Sequence, residues 1–109
     1  MVRTTRSSLK SEARSLMNYY VLQYEVVDDY VNRRVPFRQI HLQKVRDAHA
    51  RGELRLAGAL SDPPDGALFV FRSESAQVAE DFARTDPYVL NGLITSWRVR
   101  PWSVVVGEG

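Results

Sequence analysis

Asp86-Pro87-Tyr88, with Gly92 close behind and Trp97-Arg98-Val99-Arg100-Pro101-Trp102 beyond it, lies downstream of Arg38-Gln39-Ile40-His41-Leu42. The two stretches offer His41 and Asp86 as candidates for an acid–base pair. Histidine titrates nearest neutrality of all side chains. A carboxylate on one ring nitrogen fixes the tautomer and leaves the other nitrogen to take or give a proton. His41 and Asp86 are far apart along the chain, so only a fold can bring them together.

Each candidate also has a plainer reading. His41 is either a general acid–base or a hydrogen-bonded core histidine, since a charged, unpaired imidazole is costly to bury. Asp86 followed by Pro87 makes a good N-cap and first-turn pair. With two oxygens, the carboxylate can cap with one and accept from His41 with the other. Arg38, three residues before His41, reads either as a fork for an anionic substrate group or as a snorkelling surface arginine. Tyr88, Trp97 and Trp102 read more readily as core or interface aromatics than as stacking platforms. Arg98 and Arg100 alternate on one face of a strand, where a solvated edge is the simpler reading.

The positioning elements follow from periodicity. Tyr19–Val27 reads as a strand with Tyr20, Leu22, Tyr24 and Val26 on one face and Val21 on the other, ended by Asp28-Asp29. Both faces are largely apolar, which calls for cover on both sides, by helices on one and by a second subunit on the other. Pro36 opens a helix running to about Arg51 and stopped by Gly52. At about 100° per residue, Phe37, His41, Val45 and Ala48 share a stripe flanked by Ile40 and Leu42, opposite Gln43, Arg46, Asp47 and Ala50. His49 falls at the exposed end of this helix, where a cation is mildly favoured. Glu53–Leu60 and Ala67–Arg72 read as two strands joined by a Pro/Gly-rich hairpin loop. Ser73 or Ser75 is placed to cap a second helix reaching Arg84, with Val78, Ala79 and Phe82 inward. Asp86-Pro87 starts a short helical turn ending near Gly92, and Ile94–Val106 supplies a fourth strand. The order β-α-β-β-α-β is the ferredoxin-like α+β plan with an antiparallel sheet.

With Tyr20-Val21-Leu22 near the start and Leu56-Ala57-Gly58 in the middle, this series of motifs resembles the YciI-like (YCII-related domain) proteins, from about Met17 to Trp102. The resemblance implies a dimeric α/β barrel over residues 17–106, with residues 1–16 as an N-terminal extension. It also implies that His41 acts with Asp86, and that Arg38, Gly58 and Tyr88 border a substrate pocket. Many members have Ala-Gly-Pro where this chain has Ala57-Gly58-Ala59, so substrates do not transfer from relatives. The function expected is a small-molecule enzyme of lyase or isomerase type working by proton transfer. The rival is a non-catalytic dimeric module that binds a small ligand or a partner protein.

Composition narrows the classes further. The chain has 109 residues, enough for one core, and no apolar run approaches the roughly 20 residues of a membrane span. The absence of cysteine removes disulfides, thiolate metal sites and cysteine nucleophiles. Arg3, Arg6, Lys10 and Arg14 face Glu12 alone, an excess larger than the chain's net +2, so the remainder is slightly acidic. A nucleic-acid partner is therefore not expected. His41 and His49 lack the spacing and carboxylate partner of a zinc helix, and no phosphate or dinucleotide fingerprint occurs, so neither metal nor cofactor is expected. The Ser/Thr/Arg-rich start reads as a loosely packed tail rather than a targeting segment, with the cytoplasm as the expected location.

Overall fold

The computed structural model describes residues 17–107; the extension expected over residues 1–16 lies outside the described residues. Four strands, β1 (Asn18–Val26), β2 (Leu54–Leu60), β3 (Gly66–Ser73) and β4 (Ile94–Trp102), form one sheet in the order β2-β3-β1-β4. Every neighbouring pair is antiparallel. Between β1 and β2 come α1 (Tyr30–Arg33), a 3₁₀ turn (Val35–Phe37) and α2 (Arg38–Ala50). Between β3 and β4 come α3 (Gln77–Thr85) and α4 (Pro87–Leu90). This is the ferredoxin-like α+β fold.

Strand alternation sorts the side chains as the sequence indicates. Leu22 and Tyr24 of β1 pair across with Phe69 and Ala67 of β3, and all four are buried under the helices with Ala48, Ala79, Phe82 and Ala83. Burying a side chain such as Leu22 or Phe71, both fully covered, contributes about 1.5–3 kcal/mol. The other sheet face, carrying Val21, Gln23, Leu56, Leu68 and Val70, has no described helix over it, and Leu56 is 71% exposed. Arg98 and Arg100 lie exposed on this face of the edge strand β4, with Arg98 Nε donating to Gln23 Oε1 at 2.7 Å. The solvated-edge reading holds for both.

Two glycines are conformationally required. Gly52, at φ +83°, turns the chain out of α2 in the left-handed region. A Cβ on Gly66 would stand 2.8 Å from the Tyr24 carbonyl oxygen, so only glycine fits where β3 meets β1.

Several local readings need correction. The helix read as one piece from Pro36 is a 3₁₀ turn followed by α2, since Pro36 sits at the turn's start and Arg38 begins the regular helix. Ile40, placed beside the apolar stripe, is 63% exposed, because the stripe buried against the sheet is the narrower one of His41 and Ala48. Neither Ser73 nor Ser75 is the N-cap of α3, which is Ala76; Ser75 Oγ accepts instead from the Gln77 N–H at 3.2 Å. Strand β4 stops at Trp102, short of Val106. The short helix α1 was not foreseen, because four residues are too few to show a period.

Candidate active site

The Asp86 carboxylate is fully buried. Extended backbone at Asp86 (φ −69°, ψ 128°) and Pro87 at the first helical position set the residue as N-cap of α4. Its Oδ1 accepts from the Tyr88 N–H at 3.1 Å and meets His41 Nδ1 at 2.8 Å. The division expected from sequence, one oxygen for the cap and one for His41, is therefore corrected. Both functions share Oδ1, and Oδ2 accepts from the Tyr24 hydroxyl at 2.5 Å.

An ionised carboxylate only accepts, and Oδ1 and Oδ2 already accept from the Tyr88 N–H and the Tyr24 hydroxyl. Nδ1 of His41 is therefore the protonated ring nitrogen of the neutral side chain, and Nε2 carries the lone pair. The imidazole is held flat on Tyr88, ring centroids 3.8 Å apart and planes 9° from parallel, with Phe69 edge-on at 6.1 Å. Ring and tautomer are thus fixed by separate contacts.

From sequence Tyr24 is placed only on one face of the first strand, with Leu22. Burial, reinforced by the charge and hydrogen bond of Asp86, pushes its phenol above the ordinary tyrosine range. It stays a proton donor to Oδ2 at any working pH. The available signal was its alternation with Leu22, since a buried tyrosine hydroxyl must find a partner. Tyr24→Phe leaves Oδ2 unpaired and is expected to cost about 1–3 kcal/mol, or about 4–8 °C of melting temperature per kcal/mol in a domain of this size. Differential scanning calorimetry checks it; a variant melting within a degree of wild type would show that the bond contributes nothing.

His41 forms part of the wall of a cavity of about 190 Å³ between α2 and β2, with Arg38, Tyr88 and Gly58 also on its lining. The structure thus brings together every pocket residue read from sequence, with Asp86 behind His41. Gly58 lies within β2, which continues two residues to Leu60, so the strand segment Ala57–Ala59 itself borders the cavity rather than a loop after it. Tyr30 and Arg34 were missed. Both are brought in by α1 and the residue that ends it, Arg34 with its guanidinium carbon 5.1 Å from the Tyr30 ring centre. Tyr88 doubles as core residue, 1% exposed, and cavity wall. Burial raises its phenol's pKa, an effect that nearby Arg34 and Arg38 oppose.

Other candidates stand apart. His49 is exposed on α2, its Nδ1 2.8 Å from the Leu54 carbonyl oxygen. Trp97 packs partly buried against the core, and Trp102 is 49% exposed. Among the described residues no group of three or more His, Asp or Glu is placed to hold a metal ion, and no helix is long and apolar enough to cross a membrane.

The sequence pattern of the YCII-related domain matches residues 17–103, most of the chain. The protein belongs to the YCII-related domain family. This YCII-domain protein is 30% identical over 95 residues to protein YciI of Escherichia coli, a match spanning 79% of this chain and 97% of that one. It is 29% identical over 96 residues to a Haemophilus influenzae protein, over 80% and 98% of the two chains. Among solved structures it is similar to TftG, the 5-chloro-2-hydroxyhydroquinone dehydrochlorinase of Burkholderia phenoliruptrix in complex with 2,5-dihydroxybenzoquinone. That likeness has a TM-score of 0.67 at 16% identity, covers 78% of this chain and 93% of TftG, and concerns the fold.

Proposed function

We propose that this YCII-domain protein is a small-molecule enzyme of lyase or isomerase type, with His41 Nε2 as the acid–base group and Asp86 as its orienter. One observation carries the reading: a fully buried carboxylate, bonded by three donors, holds the inner nitrogen of an imidazole that stands at a cavity wall. A plain structural ion pair has no need of a cavity beside it.

The step balances without a cofactor. Nε2 takes a proton from a carbon of the bound molecule, and the C–H electron pair becomes part of a conjugated system. In a lyase the leaving group departs with its bonding pair and collects the proton from Nε2. In an isomerase the proton returns to a different atom. Asp86 stabilises the transient imidazolium through Nδ1–H. Arg38, Gly58 and Tyr88 bound the substrate's space, and the domain spans residues 17–106. That TftG, of like fold, is a dehydrochlorinase supports the class of chemistry and leaves this protein's substrate open.

A thermal-shift screen of a metabolite library, begun with 2,5-dihydroxybenzoquinone and run on wild type and His41→Ala, tests the proposal. Stabilising compounds are then followed by NMR in D₂O. Elimination, or exchange of a carbon-bound proton, in wild type alone supports the enzyme. Binding with no exchange and no product in either protein would leave only the ligand-binding module.

The open sheet face supports a homodimer closed as an α/β barrel. Apolar Val21, Leu56, Leu68 and Val70 on one face make an exposed patch that a second copy would cover. Light scattering is expected to give a dimer at micromolar concentration and a monomer for Leu56→Asp/Leu68→Asp. Monomeric wild type would end the barrel reading.

A further inference from the structure

The cavity is uniformly cationic where it is charged at all. Arg34 and Arg38 belong to its lining, and no carboxylate does, because Asp86 is sealed behind His41. Among the described residues neither guanidinium forms an ion pair. Arg34, half-buried, and Arg38, exposed, line the cavity with no counter-charge and create a positive potential that an anion would neutralise. Their fields converge on the site: burial raises the Tyr88 phenol's pKa, and both Arg34 and Arg38 act on the same group in the opposite direction.

Shape restricts the anion further. A volume of about 190 Å³ compares with the roughly 150 Å³ that holds a benzene, so there is room for one ring with a few small substituents. The rest of the lining is largely aromatic or aliphatic, with Leu42, Val45 and Phe69 among it. Arg34 is also steadied by its position over the Tyr30 ring. Guanidinium forks match planar, delocalised oxyanions best.

We infer that the cavity is a receptor for a compact organic oxyanion, a carboxylate or ring enolate of at most one ring, anchored by Arg34 and Arg38 with its body beside His41. The role of His41 in this arrangement rests on the acid–base reading above; the anion site does not. An anchored enolate or carboxylate also explains how a weak base could remove a carbon-bound proton, because the two guanidiniums stabilise negative charge that develops next to them.

The test uses three probes of similar size: benzoate, 2,5-dihydroxybenzoquinone and neutral benzamide. Binding is followed by NMR shifts of the His41 and Tyr88 side chains in the full chain. At least one of the two acids is expected to bind, with benzamide at least tenfold weaker; which acid binds separates carboxylate from enolate. Arg34→Gln and Arg38→Gln are each expected to weaken that acid about tenfold or more, the usual strength of a hydrogen bond to a charged group. In wild type its affinity is expected to fall as salt is raised, a readout that stands even if a variant folds poorly. Equal binding of benzamide, no salt dependence, or unchanged affinity in folded arginine variants would each overturn the anion site, as would no binding by either acid at 10 mM, a concentration about tenfold above a millimolar Kd.

The outcomes separate this inference from the enzyme reading. Arginine-dependent binding with no proton exchange on any compound would sink the enzyme and keep the anion site. Exchange on neutral compounds, untouched by the arginine variants, would do the reverse.

Discussion

Asp86→Ala is expected to cost about 3–5 kcal/mol, the penalty of removing one partner from a buried charged pair. The change strands three donors in the interior: the Tyr24 hydroxyl, the His41 Nδ1–H and the Tyr88 N–H. It also removes the side-chain cap of α4. Domains of this kind are stable by only about 5–15 kcal/mol, so a drop in melting temperature of about 12 °C or more follows. Asp86→Asn is expected to lose less, because asparagine keeps the shape, the cap and one acceptor. Its amide group would face Tyr24, whose hydroxyl must then accept rather than donate. Nitrogen-15 NMR gives a second readout: in wild type the neutral ring holds its proton on Nδ1, and in Asp86→Asn that preference is expected to weaken. Asp86→Ala melting within about 3 °C of wild type would show that the three contacts do not act as a unit.

The largest functional effect is expected at His41. His41→Asn places an amide nitrogen near the position of Nδ1, so the bond to Asp86 survives while Nε2 disappears. Turnover of whichever compound the screen identifies should fall about 10²–10⁴-fold, the range supplied by a positioned general acid or base. Binding of that compound should change little, since Arg34 and Arg38 are untouched. The cost to α2 is small, within about 0.7 kcal/mol of helix propensity. Turnover reduced less than about tenfold would move the proton-transfer role to another group. His41→Ala is the less informative variant, because it also removes a donor from the buried carboxylate and so mixes stability with chemistry.

The contrast between these two variants reflects how the site is built. Asp86 serves the fold first, tying α4, β1 and α2 together through one carboxylate, and serves His41 through that same oxygen. His41 takes part in packing through the Tyr88 stack and also lines the cavity. Mutational effects on stability should therefore concentrate at Asp86 and Tyr24, and effects on chemistry at His41.

The sequence by itself determined the sheet, the order of its strands along the chain and the inward face of each main element. Period-2 alternation in β1 put Leu22 and Tyr24 on the helix side, and helical spacing from Phe37 to Ala48 placed His41 inward, because local periodicity dictates which face can be buried. Asp86-Pro87 marked a capped helix start, since carboxylate and proline each suit one position of a first turn. The pairing of His41 with Asp86 came from family resemblance, not from spacing. Only the tertiary structure decided how the carboxylate's two oxygens were shared. That outcome depends on β1 delivering the Tyr24 hydroxyl from across the sheet to Oδ2, a distance in space that no local pattern records. It also decided the cavity's charge. Arg34 reaches the wall only because the four-residue helix α1 and the following 3₁₀ turn fold back beside α2, and elements that short leave no period to read.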